Sequence, residues 1–428
     1  MAPYEEATVA LGERDLARLQ ADACALVERA GLLLRGGRPT TFPLDPVPRV
    51  LPAAEWDELK AGLAQRVKAL NAFVADAYGP RRIVQAGVVP LRVVETAEHY
   101  EPAMRGVEPP GGVWIGVAGL DLVRAPSGEL LVLEDNVMTP SGFAYAAAAR
   151  EAVLAAIGRD GGERPRDYDE LPGLLAGAMG DGYVVVLTEG PENGAYWEHR
   201  WAAEAIGAAL VTPADLRRDG VRILHGDRAV DTVYRRTDAD LLDTEVGALL
   251  GPAVRAGAVG VVNAFGSGVG DDKLTHAYVE DMIRFYLGEE PHVRSVPTLD
   301  LGRRDHLEQA LDTFDALVVK PRAGSGGTDV TVCPLAAPAE VEELRERVRA
   351  EPGRWVAQPL VQLSTHATLV DGALAPRHVD LRPFVFMHGR DHPRVMPGGL
   401  TRYAVDEGAM VVNSTQNGGF KDTWVLAR

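Results

Sequence analysis

Cysteine is nearly missing: the 428 residues include two, Cys24 and Cys333. They form no disulfide framework and no zinc spacing, so both read as small core residues. Long apolar runs are missing too. None approaches the roughly 18–20 residues that a membrane span requires. The opening, MAPYEEATVALGERDLARL, is acidic where a signal peptide is basic and then apolar. The expected setting is a reducing cytoplasm with no membrane partner. Positive charge is scarce: 44 Lys and Arg stand against 61 Asp and Glu, a net charge of −17. That argues against nucleic acid as a partner and would attract a cationic substrate such as a polyamine. No Ser/His/Asp or Cys/His set stands out for nucleophilic catalysis. No glycine loop runs into the Gly-Lys-Ser/Thr of a Walker sequence.

What is present is an ordinary globular composition, 46% hydrophobic with a mean hydropathy of −0.06. The chain is too long for one core, so two or three domains are expected. Its most informative stretch is 113–136, VWIGVAGLDLVRAPSGELLVLEDN. It reads as two strands about a tight turn at Ser127-Gly128. That pairing sets Asp121 opposite Glu134, and strand alternation puts Asn136 on the same face. Leu120, Leu122, Leu131 and Leu133 form the other, core face. Carboxylates opposed at about 4.5–5.5 Å between Cβ atoms repel, so a positive charge is expected between them. Two carboxylates and an amide oxygen are hard ligands that suit Mg2+ with phosphate oxygens. A solvated acidic face is the competing reading, and a one-residue bulge would break the pairing.

Upstream, residues 14–35 read as a helix, and FPLDPVPRVLP as a proline-rich loop. Residues 53–78 form an amphipathic helix with the stripe Trp56, Leu59, Leu63, Val67, Leu70 and Phe73. Gln65, Arg66 and Asp76 read as its solvated side. After the hairpin, Thr139 to Gly142 is a turn and 144–157 a helix, whose N-terminus offers backbone N–H groups to an anion. A charged, Gly- and Pro-containing linker begins the stretch 159–182. From 183 to about 265, short buried strands alternate with helices, an α/β, Rossmann-like layer. Gly266-Ser267-Gly268-Val269-Gly270 lacks the final glycine of a dinucleotide fingerprint, so it carries little weight. Residues 274–288 read as a helix. DALVVKPRAGSGGTDVTVC reads as a strand closing on Lys320, a glycine loop (Gly324, Ser325, Gly326, Gly327) and a return strand. That pattern suits a phosphate-covering flap, where glycines admit backbone N–H groups and lysine adds a point charge. A plain hairpin turn with a surface lysine is the alternative. WVAQPLV is a further strand, and the strand-rich tail offers Asp380, Arg382, Arg402, Asn413 and Lys421 as buried polar candidates.

Together these pieces carry a resemblance. Asp121 with Glu134-Asp135-Asn136 resembles the Mg2+-binding hairpin of ATP-grasp enzymes. Asp272-Lys273 with Val296-Pro297-Thr298 is similar to the first nucleotide lysine of that superfamily, and Val318-Val319-Lys320-Pro321 to the second. Trp355 to Val361 resembles the strand that lies along adenine. The order is changed, since the hairpin precedes the lysines. The chain therefore resembles the circularly permuted ATP-grasp family (type 2), related to glutathionylspermidine synthase-like carboxylate–amine ligases. The phrases FPLDPVPR, GLDLVRAPSG, VLEDNVMTPSG, VYRRTDADLLD, GDDKLTHAYVEDMIRFYLGEEP, RHVDLRPFVF, PGGLTRYA and GGFKDTWVL carry it across nearly the whole length.

The resemblance implies an α/β (α+β) protein: a circularly permuted ATP-grasp fold with an internal Rossmann-like pre-ATP-grasp domain and a helical N-terminal segment. The implied divisions are a helical region at 1–110, a hairpin part of the C-lobe at 111–158, and the Rossmann-like domain at 183–268. A nucleotide-binding lobe follows at 269–361, with the rest of the C-lobe at 362–428. Strands of 380–425 must then share a sheet with 113–136. No appended amidase or other domain is expected. The implied activity is ATP-dependent ligation of a small-molecule or peptide carboxylate to an amine through an acyl phosphate. Asp121, Glu134 and Asn136 would hold one or two Mg2+. Lys273, Lys320 and the loop Gly324, Ser325, Gly326, Gly327 would meet the phosphates, and Gln358, Pro359, Leu360 and Val361 the adenine. Arg382, Arg402 and Lys320 would stabilise charge during catalysis. Tyr196, Glu198 and His199 are candidates for the acid pocket, with core and surface roles as alternatives. A kinase using the same ATP site, or a non-catalytic nucleotide- or peptide-binding module, is the rival reading. A homo-oligomer is compatible with all of these.

Overall fold

The computed structural model describes residues 15–29, 43–157, 164–238, 244–324, 329–410, 412 and 418–427. Helix α1 (Leu16–Arg29) leads to strand β1 (Leu44–Leu51) and the long helix α2 (Ala53–Tyr78). The proline-rich segment expected as a loop is thus a strand. It lies at the edge of its sheet, and Pro46 and Pro48 fall inside a register shift between Asp45 and Arg49. At an edge bulge, proline's missing N–H costs no ladder bond.

The stripe of α2 is buried as expected, but so are Gln65, Arg66 and Asp76. This corrects their assignment to the solvated side: α2 is enclosed on most of its circumference. Each polar group has a partner. Gln65 donates to the Glu290 carbonyl at 2.9 Å, and Asp76 accepts from the backbone of Arg82 and Ile83, both at 2.9 Å. Arg66 meets Asp135.

Strands β2 (Val117–Arg124) and β3 (Leu130–Asn136) form the expected hairpin. Asp121 pairs with Glu134 and Gly119 with Asn136, but Leu122 pairs with Val132. The connection is one residue longer than the tight turn that was expected: Ala125 and Glu129 close it, with Gly128 at φ 88°. A bulge at Leu133 restores the register, so the two departures cancel at Asp121. Their local consequence is a correction to the core face. Val132 is buried with Leu120 and Leu122, while Leu131 and Leu133 are half-buried.

Helices α3 (Phe143–Ile157) and α4 (Leu171–Met179) follow, then β4 (Val184–Thr188), α5 (Tyr196–Ile206) and β5 (Ala209–Val211). A small antiparallel sheet within 216–229 precedes β6 (Thr232–Arg236), α6 (Glu245–Arg255) and β7 (Gly260–Val262). The order β7-β6-β4-β5 is parallel throughout, the layer expected from the alternating pattern. Gly268 and Gly270 lie in a 3-10 turn, where an added Cβ would meet His99 at 2.5 Å and Val137 at 2.6 Å. These glycines serve close packing.

After α7 (Val279–Leu287) come β8 (Leu299–Asp300), α8 (Arg304–Asp312), β9 (Leu317–Pro321), β10 (Thr331–Val332), α9 (Pro338–Ala350) and β11 (Trp355–Pro359). They form an antiparallel sheet, β8-β11-β9-β10, with its own core around Phe314, Val319, Leu344 and Trp355. The tail contributes β12 (Thr365–Val370), β13 (Ala373–Arg382), β14 (Phe384–Met387), β15 (Pro393–Val395), β16 (Leu400–Ala404) and β17 (Gly418–Val425). These join the hairpin in a nine-stranded sheet, β1-β17-β16-β13-β2-β14-β15, with β12 on β13 and β3 on β2. The expected union of 380–425 with 113–136 is present. No helix among the described residues is long and apolar enough to cross a membrane.

Candidate active site

The outer face of the hairpin carries Asp121, Glu134 and Asn136 in the pairing above. A positive charge does meet Asp121. Arg382, at the end of β13, donates from Nε to Oδ1 at 2.5 Å and from Nη2 to Oδ2 at 2.8 Å. Arg402 on β16 approaches the same carboxylate at 2.9 Å and also holds its cross-strand partner Asp380. Burial opposes ionisation of Asp121, but Arg382 and then Arg402 outweigh it and hold the carboxyl well below the usual range. In Asp380 burial wins, and its pKa is raised.

Glu134 faces the other lobe. Lys320, buried at the end of β9, places Nζ 3.4 Å from Glu134 Oε1. Burial raises the Glu134 pKa, while Lys320 and then Lys273 bring the net shift below the ordinary value. Lys273 donates to the Gly324 carbonyl at 2.5 Å, and the Gly324 N–H donates to Glu98 at 3.2 Å. Ser325, Gly326, Gly327 and Asn413 lie outside the described residues. Gln358 is buried on β11 and donates to Thr298 Oγ1 at 2.9 Å. After it, Pro359 is exposed, and Leu360 and Val361 are half-buried. One pocket takes lining from Glu134, Lys273, Lys320 and Gln358, and also from Asp271 and His276.

Several residues of the site were given no role of their own in the sequence. Asp272 caps the short helix that begins at Lys273, accepting from Leu274 N at 2.8 Å, and is held by Arg322 at 2.9 Å. This positions Lys273. Asp271 accepts from Val137 N at 2.5 Å, and burial pushes its pKa up to about 7. Asp135, on the core face of β3, is gripped by Arg66 at 2.6 and 2.8 Å and by His276 at 2.7 Å. A signal for Arg66 existed: it interrupts the stripe Leu59, Leu63, Leu70, Phe73 at helical spacing, where a charge requires a buried partner.

The N-terminus of α3 is already occupied. Glu198 accepts from Gly142 N at 2.8 Å, Ala144 N at 3.0 Å and Ser141 Oγ at 2.6 Å. The anion expected there is the protein's own carboxylate. Glu198 and His199 are buried, and Tyr196 is half-buried.

The donor chemistry fits Mg2+ at two of the three candidates. Glu134 has one long lysine contact, and Asn136 would offer its carbonyl Oδ1, while its Nδ2, a donor that ligates no metal, is buried with no hydrogen-bond partner among the described residues. Both Asp121 oxygens are engaged by guanidinium, and a metal would have to share them. Among the described residues no group of three His, Cys, Asp or Glu converges as a cage. An ion held here would need phosphate oxygens for the rest of its shell, the habit of Mg2+.

Glu134 of the early hairpin and the two later lysines thus line one pocket. Residues 48–404 match the family described as circularly permuted ATP-grasp type 2. The chain belongs to that family. An uncharacterised protein of Mycobacterium tuberculosis is 42% identical over 450 residues, covering 99% of this chain and 82% of that one. A Frankia casuarinae protein with a provisional glutamate–cysteine ligase name is 46% identical over 411 residues. That match covers 90% of this chain but 47% of the Frankia protein. Among solved structures, a glutathione synthetase-like effector from Globodera pallida, in apo form, superposes with a TM-score of 0.65 at 11% identity. It covers 97% of this chain and 98% of its own, and at that identity it bears on fold alone. The ATP-grasp fold thus accounts for both the nine-stranded sheet and the smaller antiparallel lobe facing it.

Proposed function

We propose that this ATP-grasp chain is an ATP- and Mg2+-dependent carboxylate–amine ligase acting through an acyl phosphate. The observation that carries the reading is Lys320 facing Glu134 at 3.4 Å, with Lys273 in the same pocket. Acid and base from different lobes meet where a nucleotide's phosphates and metal would replace their direct contact. The ligase names of the Frankia relatives support the reaction type.

Lys273 and Lys320 neutralise the phosphates of ATP, and the end of β11 at Gln358 and Pro359, with Leu360 and Val361 after it, borders the adenine. Glu134 and Asn136, with Asp121, would hold Mg2+, which supplies charge neutralisation at phosphate oxygens. The acid's carboxylate attacks the γ-phosphorus and ADP leaves. The amine then displaces phosphate from the acyl carbon. No protein nucleophile is needed, because catalysis of phosphoryl transfer is mainly positioning and electrostatics. Arg382, bound to Asp121 through Nε and Nη2 and with Nη1 3.2 Å from the Ser141 carbonyl, is the candidate for stabilising the developing negative charge. Arg402 is committed to Asp380 and Asp121, so it acts through them as a positioning residue.

The test is ADP and phosphate release over a panel of amino acids, short peptides and polyamines, with product masses. Glu134→Gln and Lys320→Ala should each lower turnover by about a hundredfold or more while thermal unfolding shows an intact fold. Unchanged turnover in folded variants would refute the scheme. A stable phosphoester in place of an amide would make the protein a kinase.

A further inference from the structure

We propose that Arg66 is a positioning residue for metal binding: its grip on Asp135 fixes how β3 presents Glu134 and Asn136 to Mg2+. This rests on the ATP- and Mg2+-dependent reading above. Glu134, Asp135 and Asn136 pair in unbroken register with Asp121, Leu120 and Gly119, so alternation turns Asp135 away from its two neighbours and into the core. Arg66 Nε lies 2.6 Å from Asp135 Oδ1 and Nη2 lies 2.8 Å from Oδ2, and both residues are buried. The guanidinium is a planar fork matched to both carboxylate oxygens, so it sets the orientation of the carboxylate as well as its place. His276 Nδ1 sits against the pair, 2.7 Å from Asp135 Oδ2 and 3.1 Å from Arg66 Nη2. A rotation of β3 at Asp135 would swing Glu134 and Asn136 together.

The strand needs such a tie where Arg66 supplies it. The bulge at Leu133 interrupts the ladder, and a bulge lets a strand bend. Before the bulge, Val132 is held on both edges. It pairs with Leu122 of β2, and on the other side its N–H donates to the Arg294 carbonyl at 2.9 Å and its carbonyl accepts from Val296 N at 2.8 Å. After the bulge, the described strand pairing of β3 is with β2 alone. Arg66 Nη1 donates to Ser295 Oγ at 2.9 Å, between those same two residues. One side chain of α2 thus ties the strand beyond the bulge to the segment that fastens it before the bulge. Stability alone does not account for an ion pair here, since buried pairs replaced by apolar residues of similar volume often leave stability unchanged or raised. Geometry at a metal site does account for it, because groups that hold the ligands from behind commonly set metal affinity by about 10–100-fold.

The test is equilibrium binding of ATP to the whole chain, once with MgCl2 and once with EDTA, alongside thermal unfolding. Arg66→Lys keeps the charge, but one ammonium cannot span both oxygens of Asp135 and Ser295. The double variant Arg66→Met with Asp135→Leu strands no charge, and it answers for the fold should Arg66→Lys unfold. The wild type should gain affinity from Mg2+. Each variant should lose about tenfold of that gain, with its affinity in EDTA unchanged, because Lys273 and Lys320 are untouched. A folded variant that keeps the full gain from Mg2+, or one weakened equally in both conditions, would overturn the inference while leaving the ligase reading intact. A wild type that binds ATP with no gain from Mg2+ would overturn it together with the metal assignment. A wild type that binds no ATP would defeat the ligase reading as well.

Discussion

His199 does not titrate in the range usual for histidine. It is buried beside Thr188, whose Oγ1 lies 2.8 Å from Nδ1. Burial, and then the charge of Arg236, pushes its pKa from 6.5 down to about 3. The folded state therefore keeps a neutral ring where the unfolded chain takes up a proton. The unfolded state binds more protons throughout that interval, so stability is full above pH 6.5 and falls as the pH is lowered towards 3. The limiting slope is about 1.4 kcal/mol per pH unit for one such group. His199→Gln should be less stable at neutral pH but show a shallower loss between about pH 6 and pH 4 in denaturant titrations. An acid limb as steep as that of the wild type would exclude His199 as its source. Asp271 acts with the opposite sign. Its raised pKa means the folded state holds the extra proton, so its contribution is present in acid and fades as pH rises through about 7.

At the scale of elements, the N-terminus of α3 shows how one side chain can replace a local cap. Glu198 comes from α5 and receives two backbone N–H groups and a hydroxyl, while Arg236 on β6 stands 3.4 Å away. Removing it leaves both a bare helix end and a buried guanidinium. Glu198→Ala should cost about 3–5 kcal/mol in chemical denaturation, and Glu198→Gln clearly less, because the amide still accepts. Equal, small effects would mean that Arg236 finds water or another partner. This contact was illegible in the sequence, as were Asp135–Arg66 and Asp272–Arg322, because each joins residues that only the tertiary fold brings together. Periodicity showed α2 and its apolar stripe, and alternation showed the face that Asp121, Glu134 and Asn136 share. Alternation did not reveal the Leu133 bulge, since a longer turn and an extra strand residue leave the far register unchanged. The proline-rich β1 was misread for a related reason: its pairing partner lies at the other end of the chain.

That distant pairing is the property of the whole molecule from which the permuted order follows. Asp45 on β1 and Lys421 on β17 are 376 residues apart and meet at 2.7 Å, both fully buried. Lys421 also donates to the Ala367 carbonyl at 2.9 Å, and Leu369 N donates to Asp45 at 2.8 Å, so three strands converge on the pair. Loop-closure entropy grows only with the logarithm of length, so the great separation costs little more than a moderate one. A buried charge left alone costs much more. Lys421→Met should destabilise the protein by about 3–5 kcal/mol, because it strands Asp45. Asp45→Asn should likewise strand the lysine. The double variant removes both charges and should be less damaged than the sum of the two, with a coupling of at least about 1 kcal/mol in a double-mutant cycle. The hairpin that carries Asp121 and Glu134 belongs to the same sheet. Nucleotide binding should therefore disappear at the same denaturant concentration as the β1–β17 pairing. Strict additivity, or binding that outlasts the loss of this pairing, would mean that the ends of the chain are fastened to the sheet without helping to hold the site.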